Sequence, residues 1–221
     1  MSNNTDISKS WNTNFKTFLL SLILFTSFYV NAQNKGEDKF SSKGIYGIIV
    51  DGDQIFNISV ATKKTETINL TSLSDGEYGN DYKVVSEVKG NLLFVKLKRV
   101  SIIDTPDDKR NAHKVIAATL EIIMPESLNL SIKSDIGSVE AKVKFKELNF
   151  NLTQGGCNID GTARLATIKT IDGNIFIKTS NAVIETDSHH GLVDFPSNMF
   201  GFNVWRLTTN GGNITVKKQE K

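Results

Sequence analysis

The chain has 221 residues, with 26 Lys and Arg against 24 Asp and Glu, so its formal charge at pH 7 is +2. A balance this even gives no basic surface for nucleic acid, and we exclude nucleic acid as a partner. The single cysteine, Cys157, excludes an internal disulfide and leaves open whether its thiol stays free or pairs between chains.

Residues 1–32 have the pattern of a secretory signal peptide. Lys9 and Lys16 form a basic start, an apolar run follows over 18–30, and Ala32 is a small residue suited to a cleavage site. The apolar run is shorter than the roughly 20 residues of a membrane span. We therefore predict cleavage after Ala32, a mature chain without a transmembrane span, and export to the periplasm or the cell surface. An uncleaved anchor is the alternative.

The mature chain divides by composition into three parts. Residues 33–43 are polar and are predicted to be a disordered linker, residues 44–126 a β-strand region, and residues 127–221 a repeat array that continues it as one elongated domain. Alternating apolar segments bounded by Asp, Asn and Gly predict strands over 45–50, 54–61, 65–70, 82–88 and 92–100. The charged residues 104–112 are predicted to be an exposed loop, and the β-branched run 115–124 a buried strand rather than a helix.

A repeat organises the second half of the chain. In residues 168–177, read IKTIDGNIFI, apolar residues alternate with polar ones around a hydroxyl residue and a glycine. This alternation is typical of strands with one buried face, and we assign the glycine to a turn that needs positive φ. Five copies of the frame follow one another: Ile132, Ser134, Gly137, Val139, Ala141; Leu152, Gln154, Cys157, Ile159, Gly161; Ile168, Thr170, Gly173, Ile175, Ile177; Ile184, Thr186, Gly191, Val193, Phe195; and Leu207, Thr209, Gly212, Ile214, Val216.

Two copies depart from this frame. The second has Cys157 where the others have glycine, and the fourth has two extra residues in its turn, within Ser188 to His190. A single unit is too small to bury its own apolar row, so neighbouring copies must stack to form a core. The pattern predicts an all-β chain, either a β-solenoid or a repetitive β-sandwich of stacked strand-turn-strand units, and it does not separate the two.

Aromatic residues interrupt the repeat over 191–201, read GLVDFPSNMFG. One interpretation is a loop that closes the last repeats and buries Phe195, Phe200 and Trp205. The other is an exposed aromatic rim made by the same three residues, which would bind a sugar or a protein partner. These residues are the candidate binding site.

No catalytic, cofactor-binding or metal site is predicted. His189 and His190 are adjacent, but neighbouring residues of a strand face opposite sides, and two donors in sequence do not make a metal site. Acidic residues near the turns could align to bind calcium or to act on polysaccharide, yet their position varies between copies, so we interpret them as solvated turn residues. They are Asp135, Asp160, Asp172 and Asp187.

The segment 124–141, read MPESLNLSIKSDIGSVEA, resembles the putative-adhesin β-strand-repeat family of bacterial envelope proteins. The later copies TIKTIDGNIFIKTSNAVIET and LTTNGGNITVKK are similar to the same family. The resemblance covers roughly residues 45–218. It implies an exported β-strand-repeat protein without catalytic residues, in a family whose members mostly have no known molecular function.

These observations together predict a non-enzymatic, adhesin-like or scaffold protein of the cell envelope. Its expected partner is an envelope protein or a glycan, and no cofactor is expected. Two alternatives stay open. One is a polysaccharide-acting β-helix enzyme, and the other is an accessory factor in envelope stress sensing, which the resemblance alone suggests.

Overall fold

The computed structural model describes residues 34–75, 81–100 and 117–219, and Gln33–Lys221 forms a compact unit of its own. The predicted signal peptide and the predicted loop over 104–112 lie outside the described residues. Within the described ranges, no helix has the length and hydropathy that crossing a membrane requires.

Fifteen strands in the described residues form one mixed sheet, which confirms the all-β prediction. The first seven are β1 Asn34–Ser41, β2 Gly47–Asp51, β3 Ile55–Lys63, β4 Thr67–Asp75, β5 Tyr82–Lys89, β6 Leu92–Arg99 and β7 Ala117–Pro125. The other eight are β8 Asn129–Ser134, β9 Ser138–Gln154, β10 Cys157–Asp172, β11 Ile175–Thr179, β12 Ala182–Ser188, β13 Val193–Asp194, β14 Asn203–Thr209 and β15 Ile214–Lys218. The predicted buried strand over 115–124 corresponds to β7.

The sheet has two branches that share β9 and β10. The first branch runs β1-β4-β7-β3-β9-β10-β11-β15-β13, and the second runs β5-β6-β2-β8-β9-β10-β14-β12. All neighbours are parallel except β1–β4, β4–β7 and β5–β6, which are antiparallel. β9 and β10 are long enough to belong to both branches. The first half of each strand pairs within the first branch, and the second half pairs within the second branch.

The predicted alternation buries one face of the strands. Ile168, Ile175 and Ile177 are each at most 1% exposed, as their positions in the frame require. Trp205 and Phe150 are the largest fully buried side chains of the described residues. Removing this apolar surface from water is the main force that holds the strands together.

Equivalent positions of the copies lie side by side. Ile168 pairs with Phe150 on one side and with Leu207 on the other, and Ile175 pairs with Ile214. The copies do not stack in chain order, because β14 lies between β10 and β12, and β15 lies between β11 and β13. The last copy therefore inserts between the third and the fourth.

Cys157 does not occupy a glycine position, so that assignment was wrong. It lies on β10 opposite Ile175, and Gly155 occupies the turn instead. Leu152 pairs with Thr170, which places the frame of this copy two residues earlier than predicted. Phe150 rather than Leu152 is the first apolar residue of this copy, because Phe150 pairs with Ile168.

The fourth copy contains no extra turn residues, which is a second correction. Ser188 pairs with Thr209, and the spacing from Ser188 to Gly191 equals the spacing from Thr209 to Gly212. The true frame begins at Thr186 rather than at Ile184. A polar residue is tolerated there because β12 lies at an edge of the sheet and Thr186 is only partly buried.

The turn glycines are needed for close packing more than for positive φ. A Cβ added to Gly173 would lie 2.0 Å from the carbonyl oxygen of Gly155, and one added to Gly212 would lie 2.0 Å from the carbonyl oxygen of Gly173. Among these three residues only Gly155 has a positive φ, of 90°. The prediction that the repeat glycine supplies positive φ is therefore wrong for Gly173.

The predicted disordered linker over 33–43 is mostly a strand. Residues 34–41 form β1, which pairs antiparallel with β4 from Asn34 opposite Ser74 to Ser41 opposite Thr67. Its polar composition reflects its place at the edge of the first branch, where charged side chains face solvent.

Candidate binding surface at the end of the sheet

The first branch ends at β13 and the second at β12, and these two strands are consecutive in the chain. Within the described residues, β12 pairs only with β14 and β13 pairs only with β15. The residues 191–202, which contain β13 and lead to β14, carry a high density of apolar side chains, and we call them the apolar segment.

The start of the apolar segment is fixed by the turn that precedes it. The Ser188 hydroxyl accepts a hydrogen bond from Gly191 N at 3.0 Å and donates to the carbonyl oxygen of Gly212 at 3.0 Å. Leu192 N donates to the side-chain oxygen of Asn213 at 2.8 Å. These contacts tie the segment to the neighbouring copy.

The end of the apolar segment is fixed by close backbone packing. A Cβ added to Gly201 would lie 1.9 Å from the carbonyl carbon of Asn181, so only glycine fits there. Asn203 N then donates to the carbonyl oxygen of Asn181 at 3.1 Å. Phe200 and Phe202 flank this contact and are held away from the core.

Large apolar side chains of the segment face solvent. Phe202 is 92% exposed, and Leu192 and Phe200 are each 79% exposed. Phe195 is 41% exposed, while Met199 packs against the core and anchors the middle of the segment. Apolar side chains that are this exposed and lie together on one segment mark an interaction surface.

The structure separates the three predicted rim residues. Phe195 and Phe200 lie on the exposed segment, whereas Trp205 is fully buried on β14, opposite Ala166 and Ile184. The Trp205 indole N–H has no hydrogen-bond partner in the described residues. Trp205 therefore belongs to the core.

Sequence reasoning missed Phe202 and Leu192 as surface residues. The signal for Phe202 was the order Phe200-Gly201-Phe202, in which a glycine separates two aromatic residues just before a strand. No comparable signal marks Leu192, which follows a turn glycine just as Asn213 follows Gly212.

The end of the sheet is acidic as well as apolar. Residues 179–205 contain three acidic residues and no Lys or Arg. Glu185 accepts a hydrogen bond from Arg206 Nε at 2.8 Å, which offsets its charge. Asp187 and Asp194 are exposed and have no ion-pair partner within the described part of the chain.

The other predicted candidates do not assemble into a site. His189 and His190 are exposed with ring centroids 6.2 Å apart, and the described residues contain no group of three or more His, Cys, Asp or Glu able to hold a metal. Asp135 accepts hydrogen bonds from Gln54 N and Ile136 N, both at 2.9 Å. Asp160 and Asp187 lie within strands, and Asp172 is the last residue of β10, so these three predicted turn residues are not in turns.

The Cys157 thiol is buried and unpaired in this chain. Burial raises the pKa of the thiol far above its ordinary value, because a thiolate loses its hydration inside the core. Pairing with a second chain would require the core to open.

The same arrangement of strands occurs in a solved structure. A protein described as a putative cell adhesion protein, from Clostridium sporogenes, matches with a TM-score of 0.62 at 13% identity, over 85% of this chain and 100% of that chain. The chain has this fold. The predicted resemblance to the putative adhesins is thereby confirmed at the level of the fold.

Two further structures are similar at lower scores. Putative adhesins from Bacteroides fragilis and Parabacteroides merdae match with TM-scores of 0.44 and 0.32, at 15% and 12% identity. Each match covers 85% of this chain, with 98% and 97% of the other chain. No family model matches the sequence, and no curated protein matches it.

Proposed function

We propose that the chain is an exported, non-enzymatic binding protein of the cell envelope, adhesin-like or scaffolding in role, which contacts its partner through the apolar segment. The observation that carries the proposal is the exposure of Leu192, Phe200 and Phe202 on a segment that is fixed at both ends. A fixed apolar surface binds without the entropic cost of ordering a flexible loop.

The fold likeness supports this role, because the Clostridium sporogenes protein of the same fold is described as a putative cell adhesion protein. The signal pattern of residues 1–32 supports export, to the periplasm or the cell surface.

We also propose that residues 127–219 form a short β-solenoid. The supporting observation is that the turn glycines of spatially neighbouring copies lie against one another, with parallel strands on both sides of each turn. In a solenoid each copy contacts only its neighbours, which leaves the outermost copy with an open face.

The test is capture of partners from an envelope extract by the mature chain 33–221, carried out beside its Phe200→Ser/Phe202→Ser variant. We expect the wild type to retain a protein or glycan that the variant loses. A matched control is Phe56→Ser, because Phe56 is 63% exposed but lies on β3, outside the apolar segment. Equal capture by all three chains would refute the apolar segment as the binding surface. Hydrolysis of an envelope glycan by the purified chain would show that the chain is an enzyme and would contradict the proposed binding function.

A further inference from the structure

The two ends of the second branch carry opposite charge. The hairpin β5–β6, residues 82–99, has five Lys and Arg and one Glu, a formal charge of +4. At the other end, residues 179–206 have three acidic residues and Arg206, a formal charge of −2. The whole chain is nearly neutral, so its composition does not reveal this separation of charge, and the expectation of no basic surface is wrong for the β5–β6 hairpin.

Distance keeps the two charged ends from neutralising each other. β5 and β12 are the outermost of eight strands in the second branch, and strands lie about 4.8 Å apart, so the ends are separated by roughly 34 Å measured along the sheet. Charges in physiological salt are screened beyond about 8 Å. Each end is therefore free to attract an opposite charge on another molecule.

Both ends also have an edge strand with a hydrogen-bonded neighbour on one side only, although β5 also contacts β1, where the Ser86 hydroxyl donates to the Asp38 carboxylate. Within the described residues, β5 pairs only with β6, and β12 pairs only with β14. An edge strand presents backbone N–H and C=O groups to any strand of compatible charge. Apolar surface accompanies both edges: Val88 on β5 is 46% exposed and Val183 on β12 is 44% exposed.

From this arrangement we propose that the partner of the apolar segment is a second copy of the chain. The second copy would bind through its basic β5–β6 hairpin. The proposal rests on the proposed function, since it assigns a partner to the same surface. β5 runs opposite to every other strand of the second branch, so β12 of one copy and β5 of the next would pair antiparallel. A register with Asp187 opposite Lys83 also sets Glu185 opposite Val85 and opposes no like charges.

A two-fold contact between acidic ends is disfavoured by the same residues. It would bring Glu185 and Asp187 of one copy against the same residues of the other, and like charges opposed across strands are destabilising. The contact is therefore head-to-tail. Head-to-tail contacts repeat, and copies of the chain would form a filament or a ring.

Sedimentation velocity of the mature chain over a range of concentrations, at low and at high salt, tests the proposal. We expect species larger than a monomer that grow with concentration and shrink at high salt. Glu185→Lys/Asp187→Lys should weaken self-association about tenfold or more, and so should Lys83→Glu/Lys89→Glu. Mixing the two variants should restore it, because their altered ends are complementary.

Matched controls change the same number of charges on interior strands. Glu121→Lys/Glu140→Lys and Lys142→Glu/Lys169→Glu all replace exposed residues and should leave self-association unchanged. Loss of the Glu185–Arg206 pair does not threaten folding, because both side chains are 54% exposed and such pairs contribute little. Thermal melts of all variants check this.

A wild-type chain that stays monomeric at every concentration would overturn the proposal. A wild-type chain that forms only a closed dimer would also overturn it, if a mixture of the two charge-reversal variants forms nothing larger. If a monomeric chain still captures an envelope partner through Phe200 and Phe202, the binding function stands and only the identity of the partner is wrong. If the chain assembles but captures nothing else, both proposals hold, with the chain as its own partner.

Discussion

Single hydroxyl groups join the turns of neighbouring copies. Thr209 Oγ1 accepts a hydrogen bond from Gly212 N at 3.1 Å and donates to the carbonyl oxygen of Gly173 at 3.2 Å. Thr170 Oγ1 lies 2.9 Å from Thr209 Oγ1 and 2.8 Å from the carbonyl oxygen of Gly173. The hydroxyls of Ser134 and Ser188 likewise accept a hydrogen bond from the backbone N–H of the glycine three residues later. The hydroxyl of the repeat therefore satisfies a backbone group that the turn leaves unpaired.

The Thr209→Val variant tests this role without a change in volume. Removing the hydroxyl leaves the buried Gly212 N–H without a partner, so we expect the free energy of unfolding to fall by about 1–3 kcal/mol. Thr208→Val is the control, because Thr208 is partly exposed on the outer side of β14. Chemical denaturation of both variants measures the difference, and equal stability would show that the hydroxyl bonds are dispensable.

The Gly173→Ala variant tests the close-packing explanation of the repeat glycine. The added Cβ would meet the Gly155 carbonyl oxygen at 2.0 Å, so the two copies must move apart, at a cost of about 1–3 kcal/mol or more. At Gly156, in the adjacent turn, the nearest atom to an added Cβ is 3.2 Å away, and Gly156→Ala should cost less. If the melting temperature of Gly173→Ala equals or exceeds that of Gly156→Ala, this explanation is contradicted.

The buried Cys157 thiol predicts slow chemical labelling. Thiolate is the reactive form, and burial raises the pKa of this thiol, so at pH 8 the folded chain keeps it protonated and out of reach. We expect a disulfide reagent to label Cys157 only as fast as the chain unfolds, with fast labelling in denaturant. Rapid labelling of the folded chain would mean that the core around β10 opens locally.

At the scale of strands, alternation decides which substitutions the sheet tolerates. Ile175 is 1% exposed, and Ile175→Asp would bury an unpaired charge at a cost of several kcal/mol, against a typical stability of about 5–15 kcal/mol. The outward residue Lys169 should accept Asp within about 0.5 kcal/mol. Thermal melts of the two variants compare them, and similar melting temperatures would overturn the assignment of faces.

Asn174 is an outward residue that would make a poor control in that experiment. Its side-chain oxygen accepts a hydrogen bond from Asn213 N at 2.8 Å, and Asn213 in turn holds Leu192 N. Period-two alternation predicts only which way a side chain points. It carries no information on whether an outward side chain bonds to the next copy.

Local patterns predicted the strands well because each pattern is complete within a few residues. The strands β2 to β7 all fall at the predicted segments, with ends that differ by a few residues. The order of the copies was not predictable, because the insertion of β14 between β10 and β12 depends on contacts between distant parts of the chain. Trp205 differs, because it lies two residues before Leu207, and the alternation of the last copy already indicates that it faces the core.

At the scale of the whole chain, we expect the protein to be exported and its first 32 residues to be removed. A basic start, a short apolar run and Ala32 predict that the protein in the envelope fraction of its host begins at Gln33. N-terminal sequencing or intact mass measurement of that protein checks this. A protein that still begins at Met1 would indicate an uncleaved anchor.

The binding role of the apolar segment is the central claim, and one affinity comparison tests it most directly. The mature chain and its Leu192→Ser/Phe200→Ser/Phe202→Ser variant are titrated with the partner that the wild type captures, or with the wild-type chain itself if it self-associates. We predict that the variant binds at least about tenfold more weakly, a loss of about 1.4 kcal/mol, since it removes three exposed apolar anchors and leaves the core intact. Phe56→Ser should bind like the wild type. Equal affinity of the triple variant and the wild type, or the absence of any partner for the wild type, would contradict the claim.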